Sequence, residues 1–463
     1  MLSRLLAGFL LLALAPQART DDPNVIAKIA FGSCINQDKP APILDAMAGT
    51  KPDLLLLIGD NMYADLDKSV KVTPGVIREK YQAVAKVPGF VKLKGASGKV
   101  LGTWDDHDYG RNDAGVEWEH KDAAQKEFHD FFGTPQDDQR RKQKGVYHAE
   151  VFGPPGKRVQ VILLDTRYFR SQLKKGKFDP ATRVTPYLPS TDEGATFLGA
   201  EQWKWLEEQL KKPAEVRVLV SSIQVVSDEH VFEKWTNIPA EREKLYSLIR
   251  STGANGVVIL SGDRHLAEIS LDPKSVGYPL YDLTSSGLNQ ASKNWREPEK
   301  NSKRVAGMPY GDNFGLITID WNGDNPRLTM QIRDEDGDTA CGVKVRLSTL
   351  KGAGGSAPAN LPAGVLSPLE AAKRAGETVT VQFVVQSVGG TKTLYLNSRQ
   401  DFKAKDNFTL ALPEKVQTEM WTKANTEKLV GKAVRATGKV EVNKYGQAQI
   451  VIADEKSLAV VEK

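Results

Sequence analysis

The 463-residue sequence is poor in cysteine and histidine, with only Cys34, Cys341 and six histidines. Two cysteines exclude a fold that is held together by many disulfides. Six histidines argue against several metal sites built from imidazole alone. A metal site in this chain would therefore depend largely on carboxylates.

Apolar runs long enough to span a bilayer, which takes about 20 residues, are absent from the sequence. Near its start, Arg4 precedes an apolar run over residues 5–15, followed by small and turn-forming residues. This order is typical of a secretory signal peptide, which we predict over residues 1–18. We therefore expect a secreted or periplasmic protein, and the alternative is an uncleaved N-terminal anchor.

The sequence also lacks a strong excess of either charge, because its net charge is only +5. The excess lies at the end of the chain, where residues 371–463 contain 15 Lys and Arg against 10 Asp and Glu. This mild basic bias does not by itself indicate a nucleic-acid-binding protein. A composition of 40% hydrophobic and 26% charged residues excludes a wholly disordered chain.

Short, continuous apolar runs alternate with helical patterns in the first three quarters of the chain. Alternation of this kind predicts an α/β domain whose sheets are covered on both faces. The predicted strands are residues 25–31, 53–58, 99–103, 158–164, 216–221 and 256–260. The predicted helices are residues 41–48, 117–131, 200–211 and 240–250. Three alternating runs follow at residues 314–321, 328–333 and 343–347 and predict antiparallel strands.

A segment rich in Gly, Ala and Pro, residues 351–371, is predicted to be a linker. It divides a domain over residues 24–350 from a smaller one over residues 372–463. The second domain is predicted to contain five strands, with a helical stretch over residues 414–429 before the last pair of strands. That order predicts a small all-β barrel of the OB type.

Polar residues follow the predicted strands of the first domain, at the edge where open α/β sheets place their sites. Carboxylates, a thiol, a phenol and imidazoles together form a mixed set of metal ligands. The strand ends read FGSC (31–34), GDNMYAD (59–65), TWDDHDYG (103–110), LLDTR (163–167) and SGDRH (261–265).

These five motifs, in this order and spacing, resemble those of the PhoD-like alkaline phosphatases of the calcineurin-like metallophosphoesterase superfamily. The resemblance covers roughly residues 25–350. It implies a four-layer αββα sandwich that holds two metal ions. The C-terminal OB-like domain lies outside the usual extent of the family.

The resemblance also implies a ligand set for each ion. Asp60 corresponds to a carboxylate that bridges both ions. Cys34, Tyr63 and His265 correspond to ligands of ferric iron, Fe(III). Asp106 and Asp263 would complete a second site, where carboxylates favour Ca2+, with Mn2+ or Zn2+ as alternatives. A further candidate is Gln224, which could add an amide oxygen.

Catalytic roles follow from the same correspondence. His107 would contact the phosphoryl oxygen or protonate the leaving alcohol. Arg167 and Arg264 would bind phosphate oxygens, while Asp105 and Asn61 would orient ligands. The implied reaction is hydrolysis of a phosphate ester by a metal-activated hydroxide.

Several alternatives stay open from the residues alone. Cys34 could be a buried free thiol, Tyr63 a core residue, Arg167 part of an ion pair and Gln224 a strand-end hydrogen-bonding residue. The chain could be an extracellular nuclease-like phosphodiesterase whose barrel holds nucleic acid, or a non-catalytic binding protein of the cell envelope. The leaving alcohol and the oligomeric state are not predicted.

Overall fold

The computed structural model describes residues 24–294, 299–352, 361–362, 364–399, 402–403 and 407–461. The predicted signal peptide and much of the predicted linker lie outside these residues. Within these ranges, no helix combines the length and the apolar character that crossing a membrane requires.

The first domain contains two β-sheets. Its strands are β1 (Lys28–Gly32), β2 (Leu54–Ile58), β3 (Lys99–Thr103), β4 (His148–Phe152), β5 (Val159–Leu163), β6 (Val216–Val220), β7 (Val257–Ser261), β8 (Ala267–Asp272), β9 (Leu280–Ser285), β10 (Arg304–Met308), β11 (Phe314–Asp320), β12 (Arg327–Arg333) and β13 (Thr339–Arg346). The first sheet has the order β13-β12-β11-β1-β2-β3, and the second has the order β10-β8-β9-β7-β6-β5-β4. Strands β1, β2 and β3 are parallel, as are β5, β6, β7 and β9, so each sheet has a shared carboxyl edge.

Helices cover the outer face of each sheet. They are α1 (Ile43–Gly49), α2 (Pro74–Lys86), α3 (Pro88–Ala96), α4 (Asp106–Tyr109), α5 (Lys121–Phe131), α6 (Gly199–Leu210) and α7 (Pro239–Ser251). Successive strand residues point to opposite faces. Accordingly, Leu54 and Leu56 pack in a core with the second sheet, α6 and α7, whereas Leu55 and Leu57 pack against α1, α2, α3 and α5. This alternation produces the expected four-layer αββα sandwich.

The two carboxyl edges meet where β1 and β9 end. The Ser33 backbone N–H donates a hydrogen bond to the Ser285 carbonyl at 3.1 Å, and Ser33 pairs with Ser286 in an isolated parallel bridge. Loops that follow strands of both sheets are therefore brought to one rim of the sandwich.

The predicted strands of this domain are found within a few residues of their expected bounds. The predictions from sequence did not include α2, α3 and several short strands of the second sheet, among them β8 and β10. Strand β10 alternates half-buried and exposed residues over only five positions, too few for a clear periodic pattern.

The C-terminal domain contains a third sheet of eight strands. Its elements are β14 (Val365–Leu366), α8 (Pro368–Ala372), β15 (Thr378–Val384), β16 (Ser387–Gly389), β17 (Leu394–Asn397), β18 (Thr409–Leu412), α9 (Lys423–Glu427), β19 (Ala433–Val442), β20 (Ala448–Val451) and β21 (Leu458–Val461). The strand order is β14-β15-β19-β20-β18-β17-β16, and β21 pairs with β19.

This order is consistent with an OB-like arrangement. Strands β18 and β20 are parallel, and the two strands β15 and β16 are separated only by residues 385–386. No additional ladder closes a barrel among the residues that the structure describes. Two differences from the sequence reading are local: residues 365–372 form β14 and α8 rather than linker, and the helical stretch shrinks to α9 with 3₁₀ turns before it.

Candidate metal centre

Four of the candidate ligands have left-handed backbone conformations at the carboxyl rim. The φ angles are 67° at Cys34, 47° at Asp60, 67° at Asp263 and 53° at His265. Residues other than glycine rarely adopt this region, and such strain concentrates at functional sites. The turn into Asp60 also requires Gly59, because a Cβ at that position would lie 2.8 Å from the Asp105 Cβ. The backbone is therefore bent sharply to aim these side chains into one place.

Sulfur, phenol, imidazole and carboxylate meet in the first half of this centre. Asp60 Oδ2 lies 3.4 Å from both Cys34 Sγ and Tyr63 Oη, and Tyr63 Oη lies 3.0 Å from His265 Nε2. Cys34 and Tyr63 are buried, and Ser286 Oγ contacts Cys34 Sγ at 3.1 Å. Both cysteines of the chain are free thiols. These four groups could hold a single metal ion.

Carboxylates alone form the second half. One oxygen each from Asp60, Asp105, Asp106 and Asp263 lies within 4.8 Å of the others. Asp60 thus belongs to both halves, as expected for a bridging ligand. Asp105, which the sequence reading assigned to orienting ligands, is also part of this group.

The carboxylates fit a cation on independent grounds. Asp60 Oδ1 and Asp105 Oδ2 are buried and accept no hydrogen bond from the described residues. Burial raises the pKa of both groups well above the usual value, and the neighbouring carboxylate of Asp106 raises each further. The pKa of Asp263 rises to about 6, mainly through burial. Buried acids in contact become stable as carboxylates when a cation compensates their charge.

The Asp106 carboxylate behaves differently. Its pKa is lowered because the charges of His107 and Arg167 outweigh the effect of burial. Asp106 Oδ2 also accepts a hydrogen bond from the Asp113 backbone N–H at 2.8 Å. This carboxylate is therefore held in the charged form that a metal ligand needs.

His107 lies at the edge of the centre beside Asp65. Its Nδ1 is 2.5 Å from Asp65 Oδ1, and one of its ring nitrogens lies within 4.8 Å of carboxylate oxygens of Asp60 and Asp106. Burial lowers the pKa of His107, but these three carboxylates outweigh burial and raise the pKa to about 11. These carboxylates therefore favour the protonated ring, in which Nε2 is left to donate a proton.

Arg167 is placed differently from the expectation that it binds phosphate. Its guanidinium is fully buried and forms ion pairs with Asp105 at 2.5 Å and with Glu233 at 2.7 Å. This geometry favours the ion-pair alternative, in which Arg167 fixes the position of the Asp105 carboxylate.

Gln224 is also turned to other partners. Its Nε2 donates hydrogen bonds to Glu268 Oε1 at 2.7 Å and Thr284 Oγ1 at 2.8 Å. These two bonds fit the strand-end interpretation of Gln224, and ligation by its amide oxygen stays a prediction.

Arg264 remains a candidate for binding phosphate. Its guanidinium carbon lies 3.8 Å from the centre of the Phe232 ring, and its Nη atoms pair with Asp263 at 3.5 Å and Glu299 at 2.5 Å. The stacking and the ion pairs hold the cation directly beside the carboxylate group.

Sequence reasoning missed three acids around the centre. Asp65 was visible in the second motif, but its partner His107 lies 42 residues away. Asp113 and Glu233 gather with Asp106 within 4.8 Å. Glu233 follows no recognisable motif, so nothing in the sequence indicated its position.

Comparison with known proteins agrees with this fold and with the family resemblance of the motifs. A sequence model of the PhoD-like phosphatase family matches residues 29–286, which include all five motifs. Alkaline phosphatase D of Bacillus subtilis (strain 168) is 30% identical over 112 residues, a match that covers 22% of this chain and 18% of that protein.

Two solved structures align with this chain to different extents. A structure titled "Structure of PhoD" aligns with a TM-score of 0.53 and 17% identity, covering 71% of this chain and 73% of the other. A 5'-nucleotidase precursor from Thermus thermophilus aligns with a TM-score of 0.30 and 14% identity, over 69% and 54% of the respective chains. The family match spans more than half of the sequence, and this chain belongs to the PhoD-like phosphatase family.

Proposed function

We propose that this protein is a secreted, metal-dependent phosphoesterase that hydrolyses phosphate esters at the rim where the two sheets meet. One observation carries the proposal. Asp60 is shared between a thiol–phenol–imidazole group and a group of carboxylates. A single carboxylate between two donor sets of different chemistry suits two different cations. Secretion is proposed from residues 1–18 alone.

Each donor set favours a particular ion. Cys34, Tyr63 and His265 with Asp60 would hold ferric iron, because thiolate and phenolate are strong anionic donors. Asp60, Asp105, Asp106 and Asp263 would hold calcium, a hard cation that prefers oxygen ligands. When bound, such ions stabilise charge on the phosphoryl oxygens and lower the pKa of the attacking water.

The protein side chains perform the remaining steps. Asp65 holds Nδ1 of His107, so the protonated ring presents Nε2–H to the leaving oxygen of the ester. It donates that proton to the oxygen as the P–O bond breaks, and the group departs as the alcohol. Arg264 is positioned to bind a nonbridging phosphate oxygen if it exchanges its contact with Glu299. Arg167 stays in its ion pairs and fixes Asp105.

The proposal is tested by hydrolysis of an aryl phosphomonoester and an aryl phosphodiester. We expect turnover by the mature chain loaded with iron and calcium, and loss of turnover with a calcium chelator. Asp263→Asn should abolish the dependence of turnover on calcium. The control Asp324→Asn changes an exposed aspartate in the turn between β11 and β12 and should keep that dependence.

The ratio of the two activities would choose between a phosphatase and a diesterase. No turnover of either ester by the folded, metal-loaded chain would contradict the proposal and favour a binding role.

A further inference from the structure

Residues 174–188, in the segment that connects β5 to α6, form a short hairpin. Its two arms are joined by isolated bridges between Lys175 and Tyr187 and between Asp179 and Val184. The Leu188 N–H donates to the Lys174 carbonyl at 2.8 Å, which closes the base of the hairpin. The segment is therefore a defined element rather than an irregular loop. It is called the basic hairpin below.

The basic hairpin is attached to the rim of the metal centre. Tyr187 Oη donates a hydrogen bond to Asp113 Oδ2 at 2.8 Å, and Asp113 in turn contacts Asp106 through its backbone N–H. The Tyr187 N–H also donates to the carbonyl of Val231 at 2.8 Å. A partner that docks on the hairpin would thus lie beside the site.

The charges of the basic hairpin are available to an external partner. Lys174, Lys175, Lys177 and Arg183 are exposed, and none of them forms an ion pair with a carboxylate in the described part of the chain. The acid within the hairpin sequence, Asp179, is occupied in the turn, where it accepts hydrogen bonds from the Ala181 N–H and Thr182 Oγ1, both at 2.9 Å. Four cations without a carboxylate partner therefore lie along the hairpin, from its base to its turn.

Apolar side chains accompany these cations. Phe178, next to Lys177 at the tip, is 59% exposed, and Leu188 at the base is 38% exposed. Val231, on the neighbouring loop that the hairpin contacts, is 42% exposed. Exposed apolar groups among lysines match the headgroup region of a bilayer, where the rings and aliphatic chains are buried and the ammonium groups meet lipid phosphates.

We propose that the basic hairpin docks the protein on an anionic phospholipid surface, with Phe178 inserted and its four cations on the headgroups. A single-stranded nucleic acid fits less well, because stacking platforms present successive aromatic rings and Tyr187 is buried. Docking would turn the metal centre toward phosphate groups at the surface. That last consequence depends on the proposed function, whereas binding to lipid does not.

The test is sedimentation of the full mature chain with vesicles, measured against salt concentration. We expect binding to phosphatidylcholine vesicles containing phosphatidylglycerol and weak binding to phosphatidylcholine alone. The double variant Lys174→Glu/Lys177→Glu should bind at least about tenfold more weakly, since each lysine near an anionic surface contributes roughly a factor of five. Phe178→Ser should weaken binding about fivefold through lost apolar burial.

Matched control variants lie on the outer helices. Val91→Ser removes an equally exposed apolar side chain from α3, and Lys86→Glu/Lys94→Glu reverses two exposed lysines on α2 and α3. Both controls should bind vesicles like the parent chain. Hydrolysis of a soluble aryl phosphate should be unchanged in every variant, which separates this proposal from the activity itself.

Equal binding to neutral and anionic vesicles would overturn the proposal. So would hairpin variants that bind like the parent, or binding to single-stranded DNA with none to vesicles. The chain could also bind vesicles through the hairpin and yet show no hydrolase activity. That result would support the docking site and contradict only the proposed function.

Discussion

The imidazole Nδ1 of His107 lies 2.5 Å from the carboxylate of Asp65, although 42 residues separate them in sequence. Asp65 orients the ring and contributes to its raised pKa. We expect Asp65→Asn to lower kcat about 10- to 100-fold with little change in KM, the usual effect of losing such a supporting contact. Steady-state kinetics on an aryl phosphate measures both constants.

The pH profile distinguishes this role from a structural one. The proton on His107 is lost as pH rises through its pKa, so a lower pKa in Asp65→Asn moves the alkaline decline of kcat to lower pH. Asp67→Asn is the control, because Asp67 is exposed and its carboxylate accepts hydrogen bonds from the neighbouring Ser69. An unchanged kcat and alkaline decline in Asp65→Asn would rule out the role.

The sequence indicated the site because each buried strand is followed directly by polar residues. Asp60 comes two residues after β2 and Asp263 two residues after β7, and parallel strands bring such positions to one edge. The structure gathers six of the candidate metal ligands there. The left-handed turns that aim Cys34 and His265 have no signature in residue type.

The roles of Arg167 and Gln224 could not be predicted because they depend on contacts that are distant in sequence. Their partners Glu233 and Glu268 are distant in sequence and belong to no motif. Only the packing of the second sheet and its following loops determines which acid each side chain meets.

Cys34 provides a direct test of the iron site. We expect Cys34→Ser to lose iron while it retains calcium, because the carboxylate group does not include the sulfur. Elemental analysis of the purified chain gives both metals per molecule. Cys341→Ser, which alters the only other cysteine of the sequence, should keep its iron. Equal iron in Cys34→Ser and the parent would refute the assignment.

His129 couples the stability of the first domain to pH. Burial and the nearby charge of Arg141 lower the pKa of His129 to about 4. The unfolded chain therefore binds a proton that the folded chain does not, and stability falls as pH drops from about 6.5 toward 4.

The free energy of unfolding should fall by about 2 kcal/mol over this range, a value reduced to allow for screening of the ring's charge by solvent. Urea denaturation at pH 7.5 and pH 5 should show a smaller acid loss in His129→Gln than in the parent. Parallel losses in the two proteins would contradict the coupling.

Gly315 in β11 is required by the ring of Phe31 in β1. The two residues are paired in register, and a Cβ on Gly315 would lie 2.0 Å from Phe31 Cζ. We expect Gly315→Ala to destabilise the domain by about 1–3 kcal/mol through overpacking. Phe31→Leu in the same chain should recover part of that loss.

Thermal melting measures these effects. Gly95→Ala, on α3, has no atom within 4 Å of the added methyl group and should be neutral or slightly stabilising. A Gly315→Ala variant as stable as the parent would show that the two sheet residues are not in such close contact.

The shared carboxylate of Asp60 is the central claim, and counting metals in single variants tests it most directly. Asp60 touches both donor groups, whereas Cys34 and Asp263 each belong to one. Elemental analysis should find that Asp60→Asn loses iron and calcium together, that Cys34→Ser loses iron alone and that Asp263→Asn loses calcium alone. Loss of only one metal from Asp60→Asn, with full retention of the other, would contradict the shared-ligand account.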